Sequence, residues 1–78
     1  MPRFYFDLLE DECPACDFDG VVLSELAEAE LEAAGALAQL MTERQGQTEG
    51  RTVCVIIRDG GRSPLSRVCV TVSTVRVT

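Results

Sequence analysis

The chain has 78 residues and a mass of 8.5 kDa, is 46% hydrophobic, and carries a net charge of −6 with a pI near 4.4. That length holds one domain with a marginal core, and the hydrophobic share is too high for disorder. The negative charge argues against generic binding to a phosphate backbone, and the absence of histidine removes the commonest general base and metal ligand.

The charge is uneven. Residues 1–32 hold ten acids against one arginine, a balance of −9; residues 33–78 hold three acids against six arginines, a balance of +3. Copies of such a chain, or a partner, could be drawn together by that asymmetry. Met1-Pro2-Arg3 leads into only three aromatics before Asp7, so no secretory signal is predicted, and no apolar run approaches the roughly 20 residues that span a bilayer. A cytoplasmic protein with reduced cysteines is the expectation.

FYFDLL (4–9) suits a strand, EDE (10–12) a polar turn, and CPACDF (13–18) a returning strand. A three-residue turn sets Leu9 against Cys13, Phe6 against Cys16 and Phe4 against Phe18. Phe4, Phe6, Cys16 and Phe18 then share one face, and Cys13 lies on the other. Pro14 cannot donate to a ladder, so this second strand belongs at a sheet edge.

Asp19-Gly20 ends the hairpin. From Ser24, read as the N-cap, to about Gln45 the pattern is helical, with Gly46 as the C-cap. Leu26, Ala29, Ala33, Leu37, Leu40 and Met41 form a core stripe. TVCVII (52–57) is a third, charge-free strand; DGGRSP (59–64) is a turn; RVCVTVSTVRV (67–77) is a fourth, alternating strand. A loop at Gly60 to Ser63 pairs Asp59 with Pro64 and sets Cys54 opposite Cys69, on the face away from the helix. Val53, Val55, Ile57, Val68, Val70 and Val72 face the helix. The predicted fold is α+β: ββαββ, one single domain over 1–78, with an antiparallel sheet in the order 2-1-3-4 and a right-handed connection through the helix.

MPRFYFD, DFDG (17–20), VVLSELAEAE and VIIRDGGRSPLSRV together resemble a family of small proteobacterial proteins recorded as a domain of unknown function. The resemblance covers nearly the whole chain. It implies a compact αβ domain, bacterial and cytoplasmic, with no catalytic residue to carry over. Two departures stand out: the family usually has charged and aliphatic residues where Cys13 to Cys16 sit, and glycine in place of Arg62.

The cysteines admit three readings. A four-thiolate zinc site would use Cys13, Cys16, Cys54 and Cys69, but residues three apart in a strand point to opposite faces, which breaks chelation by Cys13 and Cys16. A redox CxxC wants a helix N-terminus or nearby cations, and here acids flank it. Ordinary packing remains. The acids at 10–12 lack a calcium-loop spacing, DGGR lacks a phosphate-loop spacing, and no aromatic interleaves Arg51, Arg58, Arg62, Arg67 and Arg76. Enzymatic activity, a cofactor, membrane insertion and nucleic-acid binding are therefore not expected.

The helix suggests an interaction role. Projected at about 100° per residue, its core stripe is flanked by Ala27, Leu31, Ala34 and Ala38, making an apolar arc of roughly 220° where about 100° would cover its own core. Gly35 at the edge of this second stripe would let another backbone approach. The expectation is a non-enzymatic domain that self-associates through Ala27, Leu31, Ala34, Gly35 and Ala38 or, failing that, through the outer sheet face of Tyr5, Leu9, Cys54, Ile56 and Cys69. A protein partner is a further possibility, and a small zinc-binding protein is the alternative.

Overall fold

A computed structural model describes residues 2–10, 13–44, 50–60 and 63–77. The elements are β1 (Arg3–Glu10), β2 (Cys13–Ala15), β3 (Val21–Val22), α1 (Leu26–Glu43), β4 (Thr52–Arg58) and β5 (Pro64–Thr71). The sheet runs β2-β1-β4-β5, every neighbour antiparallel, and α1 packs on one face. This is the predicted ββαββ order, with β4 and β5 as the third and fourth predicted strands. The two-residue β3 is an addition that pairs with the start of β1.

The core follows the two periodicities. Ala29, Ala33 and Leu37 of α1 are buried against Val53, Val55 and Ile57 of β4 and Phe4 of β1. Leu26, Leu40, Met41, Phe6, Leu8, Val68 and Val70 pack around them, half-buried. Ile57 and Val53 are 0% and 1% exposed, because a charge-free central strand can be covered by strands on both sides and a helix above.

Several sequence expectations need correction. Glu10 pairs with Cys13 and Leu8 with Ala15, one residue out of the predicted hairpin register. A one-residue slip turns every side chain over, so Cys16 and Phe18, expected inside, are exposed. Asp11 and Glu12, read as turn residues, lie outside the described residues. At the helix start Glu25, not Ser24, is the N-cap residue, with no side-chain cap bond; the Ser24 hydroxyl instead donates to the Glu28 carboxylate. At its end the Arg44 amide donates to the Leu40 carbonyl at 3.0 Å, and Gln45 and Gly46 lie outside the described residues.

In the β4–β5 hairpin Cys54 does stand opposite Cys69, but a register shift near Ile57/Arg58 pairs Arg58, not Asp59, with Pro64. The fourth strand therefore begins at Pro64 rather than Arg67. It also stops at Thr71 rather than running to Val77, since Thr71 already faces Thr52, the first residue of β4. A strand cannot outrun its partner.

Candidate functional site

Three sequence stretches that carry the family resemblance, FYFD, DFDG and IIRD, meet at one edge of the sheet. Between Leu8↔Ala15 and Phe4↔Val21 the chain after β2 uses two more residues than β1 does, so strand pairing lapses there. The Asp17 side chain fills the gap. Its Oδ2 accepts the Phe6 amide at 3.1 Å, and its Oδ1 accepts the amides of Asp19 at 3.0 Å and Gly20 at 3.2 Å. An aspartate is suited to this because its carboxylate can take backbone donors two and three residues on while tying to the neighbouring strand.

Asp7 closes the other side. Its Oδ1 accepts the Asp17 amide at 2.9 Å, and its Oδ2 accepts Arg58 Nε at 2.8 Å. Arg58 also donates to the Asp17 carbonyl at 2.8 Å, and its guanidinium lies 4.7 Å from the centre of the Tyr5 ring. Gly20 turns the chain at φ +72, and Arg3, Tyr5 and the Phe4 carbonyl occupy the space a β-carbon would need there. Arg3 in turn donates to the Asp19 carbonyl at 2.9 Å.

Burial pushes the Asp17 carboxyl upward, but the amides of Phe6, Gly20 and Asp19 and the charge of Arg58 outweigh it and hold it below the usual aspartate value. Burial likewise pushes Asp7 upward, and the Arg58 side chain and Asp17 amide bring it below that value too. Arg58 is held further into its charged form, chiefly by the hydrogen bond it donates to Asp7. Acids and arginine are thus mutually satisfied, and the cluster acts as a clasp joining β1, the DFDG turn and the end of β4.

Sequence reasoning weighs Arg58 only among the arginines that could contact nucleic acid and reads Asp17 as a strand residue. The available signal was a lone acid, Asp7, in an aromatic strand, and a lone arginine ending a charge-free one. Charges at such places need partners.

The cysteines are distributed as follows. Cys54 is buried and Cys69 exposed, and the two form a cross-strand disulfide with α-carbons 4.0 Å apart. The expectation was free thiols in the cytoplasm and closure on oxidation; the structure holds the closed form. Cys16 is an exposed free thiol, and the backbone of Cys13 pairs with Glu10 on the far side of β1 from β4. Thiolates sharing one zinc must each approach it to about 2.3 Å, whereas the Cys13 strand stands two strand spacings, about 10 Å, from β4. The disulfide takes Cys54 and Cys69 out of the four-thiolate set, and no group of three His, Cys, Asp or Glu able to hold a metal is found among the described residues.

The predicted interface residues lie together on the surface: Ala27, Leu31, Ala34, Gly35 and Ala38 are all exposed, Leu31 by 75%. A β-carbon built on Gly35 would meet nothing within 4 Å, so that part of the helix is open to an approaching backbone. On the opposite flank of α1 an open groove of about 250 Å³ is lined by Phe6, Val21, Glu32, Ala33, Ala36 and Val55. It exists because α1 lies over β4 and β5 and leaves the β1 side of the sheet partly uncovered. The outer sheet face is less open than expected, with Tyr5, Leu9 and Ile56 half-buried and Cys54 buried. No helix among the described residues is long and apolar enough to cross a membrane.

Fold and site together define a small ββαββ module with an internally satisfied acid–arginine clasp at one sheet edge and an uncharged helix face left open. The chain belongs to the domain-of-unknown-function family DUF6894, whose model matches residues 3–71. No curated protein and no solved structure matches it.

Proposed function

We propose that this protein is a non-enzymatic interaction domain that associates with itself through the open face of α1. The observation that carries the reading is the exposed, chargeless run of Ala27, Leu31, Ala34, Gly35 and Ala38 in a chain with 13 acidic and seven basic residues. Interface centres are depleted of charge, and small residues let helices approach closely. The acid–arginine clasp supports a binding role over a catalytic one, because Asp7, Asp17 and Arg58 are occupied with each other and with backbone groups. A general acid or base has to be available to a substrate.

Leu31→Glu tests the reading. Burying one leucine side chain is worth about 1.5–3 kcal/mol, and a symmetric dimer contains it twice. The variant should therefore dissociate at least about 100-fold more readily, with an unchanged circular-dichroism spectrum, since Leu31 makes no part of the core. Sedimentation showing the unaltered protein as an 8.5 kDa monomer at high micromolar concentration would end the proposal.

A further inference from the structure

We infer that the second copy docks edge to edge, β5 against its own β5, so that two sheets become one and the same two-fold operation closes the open helix face. This mode rests on the self-association proposed above. Four observations lead to it.

The first is the open edge. β5 is an eight-residue strand with β4 on one side and no strand on the other among the described residues. The 4.0 Å between the α-carbons of Cys54 and Cys69 is that of a pair not hydrogen-bonded to each other. Thr52 and Thr71, two residues along, are an equivalent pair with hydroxyl oxygens at 2.8 Å. By alternation the backbone groups of Arg67, Cys69 and Thr71 point away from β4, presenting donors and acceptors in a row.

Second, residues 73–77 carry two further valines without belonging to a strand, and Val75 and Val77 are 78% and 92% exposed. β4 begins opposite Thr71. With a two-fold axis at Val68 or Cys69, Pro64 of an antiparallel twin stands opposite residue 72 or 74, so the twin carries edge pairing past the end of β4 and up to this segment.

Third, the helix face lies above this same edge. The Ser66 hydroxyl of β5 donates to the Glu30 carboxylate at 2.6 Å, so Glu30 marks the side of α1 that reaches the edge strand. Going round the helix at about 100° per residue, Ala34, Ala27, Ala38 and Leu31 follow Glu30 in the direction away from the buried line of Ala29, Ala33 and Leu37. Ala34 and Ala27 stand on the side that overhangs the open edge, and Ala38 and Leu31 lie further round toward the top of the helix. A helix over the β4–β5 boundary sits about 4.8 Å from a two-fold axis placed at that edge, so its twin would lie about 9.6 Å away, within the roughly 8–10 Å of packed helices.

Fourth, the area suffices. The strand and the 18-residue helix are each about 27 Å long, and one helix layer on one sheet layer is about 20 Å deep. The wall is then roughly 540 Å² per copy in projection, or about 1,080 Å² in total, against the approximately 1,000 Å² a specific interface needs. An axis through Arg67 would oppose two arginines, so it falls instead at Val68 or Cys69.

Amide hydrogen exchange on the unmodified protein tests this mode. The amides of Arg67, Cys69 and Thr71 should exchange at least about tenfold more slowly at high than at low micromolar concentration, while those of Val68 and Val70, bonded to β4, stay protected at both. Arg67→Pro removes an amide that β4 does not use and should give a folded monomer. If sedimentation shows a dimer but the three amides exchange alike at both concentrations, or Arg67→Pro still dimerises, edge pairing is wrong and self-association stands. A monomer throughout overturns both.

Discussion

Replacing Asp17 with alanine is expected to destabilise the protein by roughly 2–4 kcal/mol, lowering its melting temperature by about 10–25 °C. The side chain accepts three backbone amides, from Phe6, Asp19 and Gly20, and alanine offers none of them an acceptor. The figure is kept below the sum for three charge-assisted bonds because the Asp19 bond is exposed and water can replace part of it. Asp17→Asn separates geometry from charge. The amide oxygen can still serve Asp19 and Gly20, but a nitrogen then faces the Phe6 amide, donor against donor, so about half of the loss is expected. Urea titration of the three proteins checks the order. An alanine variant within about 0.5 kcal/mol of the unaltered protein would show that the clasp contributes nothing.

The same cluster sets a pH dependence. Asp7 and Asp17 have folded values below their ordinary 3.8, so the unfolded chain takes up protons first as pH falls. Their stabilisation is complete above the ordinary value and is lost as pH drops through the lowered folded values. Stability should hold from neutral pH to about pH 4 and decline below it, and the decline should be shallower in Asp17→Asn.

Valine at Gly20 is the second large effect, at about 2–5 kcal/mol. Part is conformational: φ is +72, where a side-chain-bearing residue costs about 1–2 kcal/mol and a β-branched one more. The rest is steric, since an added β-carbon would stand 2.8 Å from Arg3 Cγ, 2.9 Å from Tyr5 Cε2 and 3.0 Å from the Phe4 carbonyl oxygen. The arginine stem can swing aside, but the carbonyl belongs to β1 and cannot move without disturbing the β3 pairing. Overpacking of this kind costs about 1–3 kcal/mol. Valine at Gly35, where nothing lies within 4 Å, is the control and should cost well under half as much. Equal losses at the two glycines would overturn the account of the turn.

Much of the architecture was legible because it depends on local periodicity. Alternation in 52–57 and the 3.6-residue repeat through Ala29, Ala33 and Leu37 are properties of consecutive residues, and burial is their direct consequence. Pro14 placed its strand at an edge because an imino nitrogen cannot donate. The opposition of Cys54 and Cys69 followed from parity, since both valine sets had to face one helix, together with a loop at Gly60 to Ser63 whose closing pair the structure moves to Arg58 and Pro64.

Registers and partners were not legible in the same way. The first hairpin lies one residue from its predicted pairing, because Phe4, Phe6, Cys16 and Phe18 make an equally apolar face on paper. What selects the other register is the Asp17 carboxylate, which bonds to Phe6 in the lapse between β2 and β3 and leaves Cys16 and Phe18 in solvent. Arg58 meets Asp7 across 51 positions of chain, a contact no local pattern encodes. Local propensity chooses the elements. The requirement that every half-buried charge and amide find a partner chooses how they fit, and that can be answered only once the chain has folded back on itself.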